Sequence, residues 1–371
     1  MKQNKILLVV PGEAASGGIK HYFSVLKNQF TLPVKYIYRG ARAYPYRKNI
    51  FSEIKRIIKD YQYFIKEINT GDYCLVQTST SLGWASVLRD GLFLYSAQRA
   101  GVKTIVFYRG WNENFVRKLE KHFIYFFKKA YFKADAAIVL SLKNKSKLKL
   151  WGYSKKIFVE TTLFDEELLE SISIHEHINK KFNNLKNNFT ILFLARIEKM
   201  KGIYEAIEVF QLLQNQNKNL NLNLVVAGDG KELVNVRNFI NSKNIENTSI
   251  LGEVKGDLKQ KAFLDADCYL FPSHNEGMPN SILEALAFGL PIVTSSVGAI
   301  PEIISEKNGF CANSFKSEEF ANYIQLLIDN PSLRMKLAIN NSQYAKERFC
   351  SSSVLKRLEK IYDNIIHYTN D

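Results

Sequence analysis

At 371 residues the chain exceeds the length over which a single hydrophobic core keeps growing, so two domains are expected. Hydrophobic residues at 46% and charged residues at 23% exclude collagen-like and disordered classes, and a net charge of +15 points to a polyanionic partner: nucleic acid, an anionic membrane surface or a phosphorylated substrate. The four cysteines, Cys74, Cys268, Cys311 and Cys350, form no CxxC pair, which argues against a zinc knuckle or a disulfide framework and for a reducing compartment such as the cytoplasm.

The apolar run 6–10 is too short for a signal-peptide core and lacks a small-residue cleavage site, so it reads as a buried first strand. No stretch reaches the ~18 consecutive apolar residues needed to cross a bilayer, and any membrane contact is expected to be peripheral. Further strands are expected at 34–39, 73–78, 103–108, 135–140 and 157–160, with helix-periodic segments between them. That alternation is the pattern of βαβ units around a parallel sheet buried on both faces.

The first strand runs into a small-residue loop ending in Ser16-Gly17-Gly18-Ile19-Lys20, which opens a helix. Paired glycines admit close backbone approach, and a helix N-terminus offers free N–H groups to a phosphate. The fourth strand is followed by Arg109-Gly110-Trp111. The segment 115–131 is amphipathic at 100° per residue: Arg117, Lys118, Lys121, Lys128 and Lys129 share one face, and Val116, Leu119, Phe123, Phe126 and Phe127 share another. Its apolar stripe suits packing on its own domain, and its basic face suits anionic headgroups or a lipid-diphosphate acceptor.

The rhythm lapses in a polar stretch at 164–188, expected as a linker with partial helix between a first domain at 1–163 and a second at 189–350. His175-Glu176-His177 lies there without a third metal ligand nearby. Strands resume at 190–195, 222–227, 248–251, 267–272 and 291–294, and the tail from 317 holds three helical segments, the last at about 351–367. Two doubly wound α/β domains follow from this pattern, with ligands expected beyond the carboxyl ends of the strands.

In the second domain Arg196 ends the first strand and Lys201 precedes a helix, so two cations are expected to converge where a diphosphate would need neutralising. The strand at 267–272 exits into Pro272-Ser273-His274-Asn275-Glu276-Gly277-Met278-Pro279-Asn280, with Glu284 on the following helix and Pro279 suited to its first position. Carboxylates there can accept hydroxyl pairs of a ribose or hexose. Asp265-Ala266-Asp267 spells a DxD triplet, but it falls at the start of a buried strand, away from the carboxyl end.

These motifs together resemble the retaining glycosyltransferases of the GT-B fold, glycosyltransferase family 4 (group 1). Glu276 and Glu284 stand at the family's E-x7-E spacing, Arg196 and Lys201 match its diphosphate pair, Gly17-Gly18 its N-terminal glycine loop, and Ala227-Gly228-Asp229-Gly230 its G-D-G turn. The resemblance implies two Rossmann-like domains with a cleft between them and a final helix crossing back to the first. It implies a nucleoside-diphosphate-sugar donor, UDP-sugar favoured, contacted by Gly17, Gly18, Gly228, Gly277, Met278, Pro279 and Asn280, with Glu284 on the ribose. Glu276 would meet the donor sugar and Arg196 and Lys201 the diphosphate, with retention of configuration and no metal. The acceptor would be a glycan or lipid-linked saccharide at the inner face of the cell membrane. The sequence departs from the family in placing Arg109 where a histidine often faces the sugar, and an arginine stays protonated. A sugar-nucleotide epimerase or phosphorylase on the same scaffold is the alternative. A nucleic-acid-binding role lacks a helix-turn-helix, zinc-finger or RNP-like motif.

Overall fold

A computed structural model describes residues 5–12, 17–40, 50–184, 187–313 and 315–367. Glu13, Ala14, Ala15 and Ser16 of the first glycine loop, Leu185 and Lys186 of the expected linker, and the tail at 368–371 lie outside the described residues. Internal contacts divide the chain into residues 1–162 with 351–371, and residues 163–350.

The first unit holds strands β1 (Lys5–Pro11), β2 (Val34–Arg39), β3 (Tyr73–Ser81), β4 (Lys103–Gly110), β5 (Ala136–Val139) and β6 (Lys156–Val159). They form one parallel sheet in the order β2-β1-β3-β4-β5-β6. Its helices are α1 (Gly18–Leu26), α2 (Ile50–Ile68), α3 (Trp84–Arg99), α4 (Glu113–Lys118), α5 (Ile124–Tyr131) and α6 (Leu142–Leu150). Ile6 to Val10 are all buried, as a strand covered on both faces requires. Leu7 and Val9 pack with Phe64 and Phe93, while Val106 and Tyr108 pack with Phe115, Leu119, Phe127 and Trp151.

Between α4 and α5 the residues Leu119–Phe123 form a single π-helical turn. The extra residue shifts the phase of everything after it, so the stripe expected from a regular 3.6 period splits. Val116, Leu119 and Phe127 are buried, whereas Phe123 is 40% and Phe126 68% exposed, which corrects their expected place in the packed stripe.

The second unit holds α7 (Ile174–Asn183), β7 (Asn188–Leu194), α8 (Ile203–Gln216), β8 (Asn221–Ala227), α9 (Leu233–Ser242), β9 (Thr248–Gly252), α10 (Gly256–Asp265) and β10 (Cys268–Phe271). It continues with α11 (Asn280–Ala287), β11 (Ile292–Ser295), α12 (Ile300–Ile303), β12 (Gly309–Ala312), α13 (Ser317–Asp329) and α14 (Pro331–Arg348). The parallel sheet runs β12-β11-β10-β7-β8-β9. Strand β12 has no counterpart in the pattern of the sequence. Its four residues are Gly309, Phe310, Cys311 and Ala312, and a Cβ on Gly309 would lie 2.0 Å from the Ile292 carbonyl. Pairing with β11, not propensity, makes it a strand.

The stretch expected as a linker contributes α7 to this second unit. Ile178 is buried, His177 Nε2 lies 3.2 Å from the Leu264 carbonyl, and Lys181 bonds the Ala266 carbonyl and pairs with Asp267 at 3.3 Å. Asp267 Oδ2 also accepts from the Thr190 amide at 2.8 Å, so this aspartate ties β10 to β7.

The last helix, α15 (Ser351–Ile366), belongs to the first unit. Val354, Leu355, Leu358, Ile361, Tyr362 and Ile365 bury one stripe at helical spacing. Tyr362 Oη donates to Gln77 Oε1 at 3.0 Å, Lys103 Nζ donates to the Ile365 and Ile366 carbonyls at 2.9 and 3.1 Å, and the Arg357 guanidinium grips Glu160 at 3.0–3.1 Å. The Glu160 side chain is 7% exposed. Arg357→Ala should therefore destabilise the first unit by about 1.5–3 kcal/mol, the worth of a charge-assisted bond whose buried carboxylate loses its partner. Glu160→Gln should cost less, because the charge it leaves without a counter-ion, on Arg357, is 35% exposed to water. Urea unfolding followed by circular dichroism checks both, and an unshifted midpoint for Arg357→Ala would mean that the apolar stripe alone holds α15.

Candidate functional site

In the second sheet β8 and β9 lie to one side of β7, while β10, β11 and β12 lie to the other. The direction of winding reverses between β7 and β10, and open α/β sheets bind ligands beyond the carboxyl ends of the strands at such a point. The loops leaving these two strands carry Arg196, Lys201 and Glu276.

Glycines let these loops lie backbone on backbone. A Cβ on Gly202 (φ 77°) would stand 2.0 Å from the Pro272 carbonyl oxygen, and one on Gly228 (φ 142°) would stand 1.8 Å from the Ala195 oxygen. Gly298 (φ 60°), in the loop after β11, approaches the Glu276 carbonyl so closely that a Cβ would sit 2.1 Å away. No side chain fits at these positions. The His274 amide donates to the Met200 carbonyl at 3.0 Å, the Ala299 amide to the Gly277 carbonyl at 2.8 Å, and the Ser295 hydroxyl to the Ser273 carbonyl.

Within this frame Lys201 Nζ meets Glu276 Oε1 at 2.5 Å, and the Ser273 hydroxyl donates to the same oxygen at 2.8 Å. The two charged side chains are 16% and 8% exposed. Arg196 is placed differently: its side chain is 69% exposed and pairs with Glu198 at 3.0 Å, so the two cations expected to converge are held by separate carboxylates. His274 lies 2.7 Å from Glu205 and stacks on Phe315 at 4.5 Å.

Met278 is buried and Gly277, Pro279 and Asn280 are partly buried where the chain enters α11. Pro279 is the N-cap of that helix, with Asn280 its first residue, one position later than the sequence suggests. Glu284 is 3% exposed and pairs with Lys259 at 2.7 Å. A single glutamate on a helix would ordinarily be solvated, but α11 is buried all round from Ile282 to Ala287. Lys259, on α10, has no signature in the sequence, because only the fold brings α10 against α11. Gly298 follows a strand, and that position is its only signal.

In the first unit Gly17 is the N-cap of α1 at φ 112°, a conformation open to glycine, and Gly18 opens the helix. Arg109 is the penultimate residue of β4 and is 8% exposed. Its guanidinium lies over Tyr22 at 4.0 Å and Phe107 at 4.8 Å and donates to Thr162 Oγ1 at 3.3 Å. Burial lowers its pKa to about 10, which still leaves it cationic at neutral pH. Among the described residues no three His, Cys, Asp or Glu side chains gather as a metal-ligand group.

The glycosyl transferases group 1 family matches residues 175–344. Among curated proteins, the capsular polysaccharide biosynthesis glycosyltransferase CapM of Staphylococcus aureus is 23% identical over 62% of this chain and 58% of its own length. An N,N'-diacetylbacillosaminyl-diphospho-undecaprenol alpha-1,3-N-acetylgalactosaminyltransferase of Campylobacter jejuni is 28% identical over 49% of this chain and 46% of its own length. The chain thus spans about half the length of the curated relatives it matches. Sucrose-phosphate synthase from Thermosynechococcus elongatus superposes with a TM-score of 0.73 at 15% identity, covering 98% of this chain and 99% of that one. Anabaena HepE in complex with UDP and glucose superposes with 0.68 at 17% identity, covering 97% and 99%. The chain has the two-unit GT-B fold, and its residues 175–344 match the glycosyl transferases group 1 family.

Proposed function

We propose that this protein is a glycosyltransferase that moves a sugar, a hexose or an N-acetylhexosamine, from a nucleoside-diphosphate sugar, UDP-sugar in preference, to a glycan or lipid-linked acceptor. The transfer retains anomeric configuration, serves cell-surface glycan synthesis and takes place at the inner face of the cell membrane. The observation that carries this reading is the Lys201–Glu276–Ser273 cluster, set between glycine-tight loops at the switch point of the second sheet. The complex of HepE with UDP and glucose and the names of the capsule and undecaprenol-linked relatives support the same substrate class.

Each residue has a physical task in this reading. Diphosphate is the leaving group, and Lys201 with Arg196 offsets the negative charge that grows on it as the glycosidic bond breaks. Arg196, exposed beside Glu198, can swing onto the phosphates, whereas Lys201 is already fixed by Glu276. Glu276 accepts sugar hydroxyls near the transferred carbon, and Glu284 accepts the ribose hydroxyls. The backbone of Gly277, Met278, Pro279 and Asn280 and the turn at Gly228 border the donor. Arg109 supplies a fixed charge and no base. The reaction needs no metal in this scheme.

Two outcomes test the assignment. Glu284→Gln preserves volume and removes the charge that faces ribose and Lys259. UDP affinity, measured by calorimetry, should fall roughly tenfold or more, matching charge-assisted bonds of about 1.5–3 kcal/mol. Unchanged affinity in a folded variant would remove Glu284 from the donor site. Lys201→Ala should lower turnover of the matching donor by roughly 10²–10³, with a smaller effect on free UDP binding, because its partner is charge that develops in the transition state. Donors are ranked first by thermal shift over a panel of sugar nucleotides, since a bound donor stabilises by RT ln(1 + [L]/Kd). Full activity in Lys201→Ala would overturn the role of that lysine, and loss of activity with EDTA would overturn the metal-free scheme.

A further inference from the structure

On α3 the side chains of Trp84, Leu88, Leu92 and Tyr95 are 42%, 66%, 47% and 46% exposed. At 100° per residue these four fall in one sector about 80° wide, so they form an unbroken outward stripe along the helix. The other side of α3 buries Val87, Gly91 and Leu94. Beside it, the π turn brings Phe123, Tyr125 and Phe126 outward, the last two 65% and 68% exposed. The Trp84 ring meets the Phe123 ring edge-on at 4.6 Å, which makes the stripe and the aromatic cluster one continuous surface. Apolar side chains exposed together in this way mark an interaction site, in contrast to isolated surface leucines.

The charge around this surface has one sign. The acidic side chains of α3 to α5 are consumed internally: Asp90 is buried against Arg39 and Arg89, Glu113 pairs with Lys143 at 2.8 Å, and Glu120 pairs with Lys147 at 2.6 Å. Arg99, Arg117, Lys118, Lys121 and Lys129 are exposed and make no ion pair among the described residues. We propose that this face docks on an anionic lipid bilayer, with the aromatic and leucine side chains entering the headgroup region and the cations holding anionic headgroups. Tryptophan and tyrosine, each with an apolar ring and a polar tip, suit that boundary, and phenylalanine and leucine bordered by lysine and arginine suit its apolar side. A second copy suits it poorly, because a two-fold contact would set this cationic face against itself. The docking surface rests on the proposed place of action at a membrane face and not on the donor-site assignments.

The test is sedimentation of the full chain with phosphatidylcholine vesicles, with and without phosphatidylglycerol, at low and high salt. Wild type should bind the anionic vesicles and only weakly the neutral ones. Changing Lys118, Lys121 and Lys129 together to Gln should weaken partitioning by roughly 10²-fold, about fivefold for each cation removed near the surface. Leu88→Ser with Phe126→Ser alters two exposed side chains, so the melting curve should hold. That variant should keep the salt-sensitive attraction and lose whatever attachment survives high salt. Vesicle binding is read without any donor, so its result stands apart from UDP affinity. Equal sedimentation with anionic vesicles, neutral vesicles and none would overturn the proposal. So would a vesicle-independent dimer that the Leu88→Ser, Phe126→Ser variant disperses, since the surface would then serve self-association.

Discussion

The close approach of backbone to backbone at the carboxyl ends of β7 and β10 is the constraint on which the second unit's site depends. Lys201 and Glu276 come from different loops, 75 residues apart in sequence, and stand 2.5 Å apart because Gly202 lets its loop lie against the end of β10. Gly298 brings the loop after β11 down on Glu276 from another direction, and Gly228 fits the G-D-G turn against Ala195. A methyl group at any of the three would push the loops apart by more than the length of a hydrogen bond can absorb. The ion pair is thus a product of backbone geometry and would be weak as an isolated surface pair.

Burial gives the charged groups different capacities. Lys201 and Glu276 are nearly enclosed and mutually neutralised, and Glu284 is neutralised by Lys259, so each carboxylate is held in a fixed orientation. Arg196 keeps its freedom at the surface. In the first unit Arg109 is fixed by two aromatic rings and Thr162, without a carboxylate in contact among the described residues. A rigid cation of that kind can orient or attract an anionic group, and it cannot shuttle protons.

The first unit is completed by the end of the chain. Its helix α15 brings its apolar stripe, Tyr362 and Arg357 to groups that occur up to 285 residues earlier. Separately, the π turn after α4 changes the character of the unit's surface. It leaves enough of the stripe to pack α5 on the sheet and turns Tyr125 and Phe126 to solvent among lysines.

Much of this was legible in the residues. Every described strand except β12 contains a short β-branched or aromatic run, as strands covered on both faces favour, although β3 continues into the buried polar residues Gln77, Thr78, Ser79 and Thr80 and the edge strand β9 is only partly buried. The loops that carry Gly17, Arg196, Lys201, Gly228 and Glu276 follow from their places after such runs. The family resemblance rests on those same positions. Other features required the folded chain. Strand β12 owes its state to pairing with β11, Lys259 meets Glu284 through helix packing, and α7 joins the second unit through carbonyls offered by residues 264 and 266. The phase of 115–131 could not be read from a regular period once one turn widened. Sequence thus determined which segments are strands, β12 excepted, and which loops hold glycines and charged side chains beyond them, since apolar periodicity and turn residues are local properties. Tertiary structure decided which charges are paired, which are buried and which aromatic rings face water, because each of those depends on a neighbour distant in the chain.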